Sequence, residues 1–132
     1  MENNFVSYKL ALELKNLGFD EPCFGLFVSM NNKLLIKEIP NQQESEQYFG
    51  GILAPTFQQA FCFFREKYNL IHEILLDRTS TPKYCYQLYR YKDFGDFEEI
   101  KINVSDWFLY RTYEESELEC LIKLIEIVKN EK

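Results

Sequence analysis

The run Tyr84-Cys85-Tyr86-Gln87-Leu88-Tyr89-Arg90-Tyr91-Lys92 gathers more recognition chemistry than any other stretch of the chain. Around it, Arg78, Lys83, Arg90 and Lys92 stand against Asp77 alone, a local net charge of +3 in a chain of net −6. Tyrosine rings can stack on a flat base while guanidinium groups grip phosphate. The pattern therefore fits a planar, anionic, nucleotide-like ligand. As a strand, the run points Tyr84, Tyr86, Leu88 and Arg90 one way and Cys85, Gln87, Tyr89 and Tyr91 the other. Both faces are aromatic; one must pack on helices, and the other is exposed or covered by a partner subunit. The candidate ligand-binding residues are Tyr84, Tyr86, Tyr89, Arg90 and Tyr91. Arg78 and Arg111 act as charge partners, and Trp107 as a nearby stacking surface. The plainer reading of the same letters is an amphipathic sheet whose tyrosine hydroxyls reach water.

Other chemistry is thin. Residues 93–106 hold Asp93, Asp96, Glu98, Glu99 and Asp106 against Lys101, a net of −4, but their spacing matches no calcium loop and phenylalanines interrupt it. A solvated acidic loop is expected. Asp93-Phe94-Gly95 has the letters of a kinase metal-binding tripeptide without the glycine-rich or catalytic loop that would give them meaning. His72, the single histidine, has no nucleophile motif to complete a triad and is expected to be structural or on the surface. Gly50-Gly51 lacks the lysine of a phosphate loop. Cys23, Cys62, Cys85 and Cys120 lie 39, 23 and 35 positions apart with no C-x-x-C pair, which reads as free thiols behaving as small hydrophobes. No catalytic residue, metal site or cofactor is expected. Carboxylates alone can hydrolyse glycosides, so a carboxylate-dependent hydrolase stays as an alternative, although no spacing selects a pair.

Composition sets the bounds. A chain of 132 residues and 15.9 kDa suits a single domain, 1–132, which buries roughly two-thirds of its unfolded surface. Twenty-two residues are aromatic (Phe 12, Tyr 9, Trp 1). That surplus predicts a firm core with sticky surface left over, and so self-association, with a homodimer as one form. The acidic balance, with pI near 4.9, disfavours nucleic-acid backbones and anionic membranes. The opening Met-Glu-Asn-Asn-Phe has no signal-peptide pattern, and no stretch approaches the roughly 18 apolar residues of a membrane span. A cytoplasmic protein is expected.

These residues need elements to hold them. Ser7 caps a first helix over about Phe5–Leu17, with Leu10, Leu14 and Leu17 on one face and Gly18 as its left-handed stop. Cys23–Ser29 and Lys33–Ile39 form a hairpin around Asn31-Asn32. Asn41–Ala54 is polar and shows no period, so it reads as the longest loop. Thr56 with Gln59 has the form of a capping box, opening a helix whose stripe is Phe57, Ala60, Phe61, Phe64 and Tyr68. Ile71–Thr79 and Tyr84–Tyr91 make a second hairpin through Ser80–Lys83. Ile100–Val104 alternates like a short strand, and Trp107–Tyr110 forms another. Thr112 caps a last helix with Leu118, Leu121, Ile122, Ile125 and Val128 as its buried stripe. The fold class is α+β: an antiparallel sheet of 4–6 strands and three helices in the order α-β-β-α-β-β-(β)-α, with helices mainly on one face.

Three stretches carry a resemblance. These are Leu14–Pro22, Ala54–Phe61 continuing through Phe64-Arg65-Glu66-Lys67-Tyr68-Asn69-Leu70, and Thr112–Leu118 with the helix after it. In these the chain resembles small, uncharacterised accessory proteins encoded by bacteriophages and mobile elements. The resemblance implies a setting inside a bacterial host cell, where interference with defence or host machinery is a common task, and it carries no catalytic residue across. The leading expectation is a non-catalytic anti-defence protein that sequesters a nucleotide-like small molecule on the tyrosine-rich surface. The alternative is a protein-interaction inhibitor that meets a host protein through an acidic surface.

Overall fold

A computed structural model of the chain describes residues 2–77, 83–100 and 110–131. The class is α+β, and the chain divides into two compact units, Met1–Ala60 and Phe61–Lys132. Where the sequence suggested one sheet, the described strands form two antiparallel sheets of three.

In the first unit, the Leu10 N–H donates to the Ser7 hydroxyl (3.3 Å) and starts α1 (Tyr8–Asn16). Leu10, Ala11, Leu14 and Leu17 are buried, and Gly18 leaves the helix at φ 97°. Strands β1 (Cys23–Phe27) and β2 (Leu34–Ile39) pair with Gly25 opposite Ile36, Leu26 opposite Leu35 and Phe27 opposite Leu34. The pairing shifts register between Cys23 and Gly25.

Residues 41–54 are ordered structure and not the expected loop. Asn41 caps α2 (Gln42–Phe49) by accepting from the Glu44 N–H (2.8 Å), and Gly50 closes it at φ 57°. The chain then returns as β3 (Ile52–Leu53), antiparallel to β1. That short strand is why the first sheet is complete by itself. Only Ser45 of α2 is buried, so the helix has no apolar period to read; its signature was confined to its two caps.

The Gln42 carboxamide finishes the job. Its Oε1 accepts from the Leu53 N–H (3.1 Å), and its Nε2 donates to the Gly51 carbonyl (3.0 Å). One side chain thus supplies the acceptor and donor that a further strand beside β3 would offer.

Helix α3 (Phe57–Tyr68) opens with the reciprocal cap expected of Thr56 and Gln59. The Gln59 N–H donates to Thr56 Oγ1 (3.2 Å), and the Thr56 N–H donates to Gln59 Oε1 (3.0 Å). Ala60, Phe61 and Phe64 are buried as expected; Phe63, outside the expected stripe, is buried too. Arg65, Glu66 and Lys67 are exposed.

The second unit is built on β4 (Leu70–Asp77), β5 (Lys83–Tyr91) and β6 (Phe97–Ile100), with β5 in the middle. The β4–β5 hairpin runs in unbroken register from Leu70 opposite Arg90 to Asp77 opposite Lys83. Its expected turn, the strand expected beyond residue 100 and Trp107–Leu109 lie outside the described residues. Tyr110 makes an isolated antiparallel bridge with Tyr84.

Helix α4 (Tyr113–Glu131) begins where Thr112 Oγ1 accepts from the Glu115 N–H (3.1 Å) and lies against β4 and β5. Its buried face is Cys120, Leu121, Leu124, Ile125 and Val128, flanked by Ser116. Leu121, Ile125 and Val128 are buried as expected, whereas Leu118 (37% exposed) and Ile122 (39%) fall outside the buried face, which runs instead through Cys120 and Leu124. Leu118, Leu121 and Leu124 are alike in the sequence. Leu121 and Leu124 face inward with Cys120, which is buried as a small hydrophobe.

Candidate binding surface

The alternation of β5 divides the expected site among three places. Tyr86 and Leu88 are buried, and Tyr84 and Arg90 are half-buried, on the face that meets α4. At the start of the helix, the Tyr84 ring meets Tyr113 edge-on (6.0 Å), and Tyr86 stacks against Tyr110 (6.3 Å, 16° between planes). The backbone bridge between Tyr84 and Tyr110 holds the four rings in place, with hydrogen bonds of 2.8 and 2.7 Å. Arg111 is exposed beside this cluster, its N–H donating to Glu115 Oε2 (3.3 Å). Tyr84 and Tyr86 are therefore brought together with Tyr110 and Tyr113, which sequence reasoning missed, and Arg111 is the next residue after Tyr110.

This cluster carries negative charge as well as rings. Burial raises the Tyr113 hydroxyl above its ordinary pKa, and Glu117, Cys120 and Glu114 add to the effect. Burial also raises the Glu117 carboxyl, with the neighbouring Glu114 pushing the same way. An anion placed here would face the same carboxylates.

Arg90 lies at the far end of α4, ion-paired with Glu131 in the last helical turn. The two residues line a cleft of about 550 Å³ with Glu98, Glu99, Ile100 and Ile127. Across the sheet Arg90 is opposite Glu98, and Lys92 also pairs with Glu98 (2.5 Å). The hydrogen bond from Lys92, then its charge, holds the Glu98 carboxyl below its usual pKa. One guanidinium thus shares a cleft with three carboxylates, of which Glu131 pairs with it and Glu98 pairs with Lys92. The sequence did hold a sign of this: a carboxylate at the C-terminal end of a helix opposes the dipole and calls for a cation nearby.

Tyr89 and Tyr91 lie on the other face of β5. Tyr89 donates to Gln87 Oε1, and its hydroxyl is raised by burial and then by Glu73 and Glu99. Tyr91 is exposed and meets Phe97, 57% exposed, at 5.4 Å. Arg78 and Trp107 lie outside the described residues. The six described candidates therefore do not share one surface.

His72 is half-buried and stacks flat on Phe61 (3.7 Å, 12°); burial, with help from the Arg65 charge, lowers its pKa to about 4. It is neutral at pH 7. Cys23 and Cys120 are buried, and Cys62 and Cys85 half-buried. Burial pushes Cys23 up to about 12 and raises Cys120 and Cys62 as well, so these three are protonated at pH 7. Among the described residues no group of three His, Cys, Asp or Glu is placed to hold a metal ion. No described helix is long and apolar enough to cross a membrane. A second cleft, about 380 Å³, is lined by Pro22, Cys23, Phe24, Glu38, Ile39 and Pro40 in the first unit.

Comparison with protein-family models, with curated proteins and with solved structures returned no match.

Proposed function

We propose that this chain is a non-catalytic binding protein that meets a basic partner protein through its acidic surface. One observation carries the reading: Arg90, the cation meant to grip an anionic ligand, is already paired with Glu131 in a cleft that also holds Glu98 and Glu99. Adding a phosphate there would mean breaking an ion pair where three carboxylates outnumber Arg90 and Lys92. A lysine or arginine side chain from a partner meets the opposite field. The acidic surface continues through Asp93 and Asp96, both exposed in the β5–β6 connection. Complementary charge of this kind speeds encounter and selects partners.

The resemblance to accessory proteins of bacteriophages and mobile elements supports a setting in the cytoplasm of a bacterial cell. There the partner is a host protein and the effect is inhibition. A second reading, capture of a nucleotide-like molecule, is favoured by one arrangement, the ring cluster of Tyr84, Tyr86, Tyr110 and Tyr113 beside Arg111.

Calorimetry separates the two. A lysine- and arginine-rich peptide should release heat that fades as salt rises and drops several-fold in Glu98→Gln/Glu99→Gln. A panel of nucleotides and cyclic dinucleotides should give none. Nucleotide binding lost in Arg111→Ala, with silence from the basic peptide, would reverse the assignment.

A further inference from the structure

The first sheet treats its two edges differently. At β3 the Gln42 carboxamide occupies the outer backbone groups at Gly51 and Leu53. At β2, among the described residues, strand pairing is found only on the β1 side. Four consecutive β2 residues are exposed, including Leu35 (37%) and Ile36 (47%). An edge strand with open N–H and C=O groups and apolar side chains is a template for another strand.

We propose that β2 is where two copies of this chain join, through an antiparallel pair that merges two three-stranded sheets into one of six. Charge and overlap together select the register, since an axis at Leu34 or Ile39 pairs only the strand ends. A two-fold axis normal to the sheet through Ile36 sets Ile36 against the partner subunit's Ile36. Leu35 then faces the partner's Lys37, and Leu34 faces the partner's Glu38. No like charges stand opposite each other. Moving the axis to Lys37 or Glu38 sets like against like, and moving it to Leu35 sets Lys33 against the partner's Lys37. Lys37 itself lies over the Phe49 ring (4.9 Å), which draws its charge toward α2. One strand per copy is a small contact, so the dimer is reversible.

Sedimentation equilibrium from about 1 µM to about 1 mM spans the affinities that so small an interface supports. The 15.9 kDa chain should shift toward twice its mass across that range. Ile36→Lys, at an exposed position, should weaken the shift about tenfold or more while the circular dichroism spectrum stays unchanged. Register is tested separately by mild oxidation. Ile36→Cys should cross-link to its own copy, whereas Glu38→Cys and the unsubstituted chain should not. A single monomeric species throughout the range overturns the proposal. So does a dimer indifferent to Ile36→Lys, or cross-linking through Glu38→Cys in place of Ile36→Cys.

Discussion

Two side chains of the second unit shift its stability with pH in opposite senses. His72 has a depressed pKa, about 4 against an ordinary 6.5, because its ring is half-buried on Phe61. The unfolded chain therefore binds its proton first as pH falls. The contribution of His72 to stability is whole above about pH 6.5 and is lost progressively between there and about pH 4. Allowing for partial exposure, the loss amounts to about 1 to 2 kcal/mol. Urea unfolding followed from pH 7 to pH 4 should show it, and His72→Phe should flatten that part of the curve. Glu117 has the opposite sign. Its raised pKa means the fold disfavours the carboxylate, so Glu117→Gln should raise the melting temperature at pH 7 and lose that advantage in acid. At this scale the sequence was a fair guide to what His72 is. It was silent on Glu117, because half-burial beside Glu114 and Tyr113 depends on how α4 lies on the sheet.

Elements with strong ends were legible, and elements without an apolar period were not. Ser7, the Thr56/Gln59 pair and Thr112 each open their helix as the letters indicate. Thr56→Ala removes one bond of the capping box and should cost about 1 kcal/mol of stability in thermal or urea unfolding. Helix α2 escaped because eight largely polar residues resemble a loop, although Asn41 and Gly50 bracket them. The hairpin β4–β5 was found because Tyr84–Tyr91 alternates. The same alternation divided the candidate site, since residues adjacent in the sequence face opposite sides of the sheet. Arg90 and Glu131 meet across 41 positions, a pairing that no local pattern encodes. Gln42→Ala should cost about 1 to 2 kcal/mol, because it strips two bonds from the β3 backbone.

Across the whole molecule the aromatic surplus has been used in two ways. Part of it is core: Phe61, Phe63 and Phe64 are buried, and Phe64→Ala should destabilise by about 3 to 5 kcal/mol in denaturant unfolding. Part of it remains at the surface as Tyr91 and Phe97, on the side of β5 away from α4. Composition announced the amount of aromatic side chain correctly and could not apportion it. The α+β class followed from the order of elements. The third strand of the first sheet is β3, two residues too short to register as a strand in any pattern.

The Gln42 carboxamide reaches beyond the stability of one strand. A sheet that can be extended at both ends polymerises, whereas a sheet terminated at one end can add only a single neighbour. Gln42 is that terminator, and it would halt assembly at the pair. Gln42→Ala should convert the terminated end into a propagating one. Concentrated solutions of that variant would then scatter light and bind amyloid dyes where the parent chain stays clear.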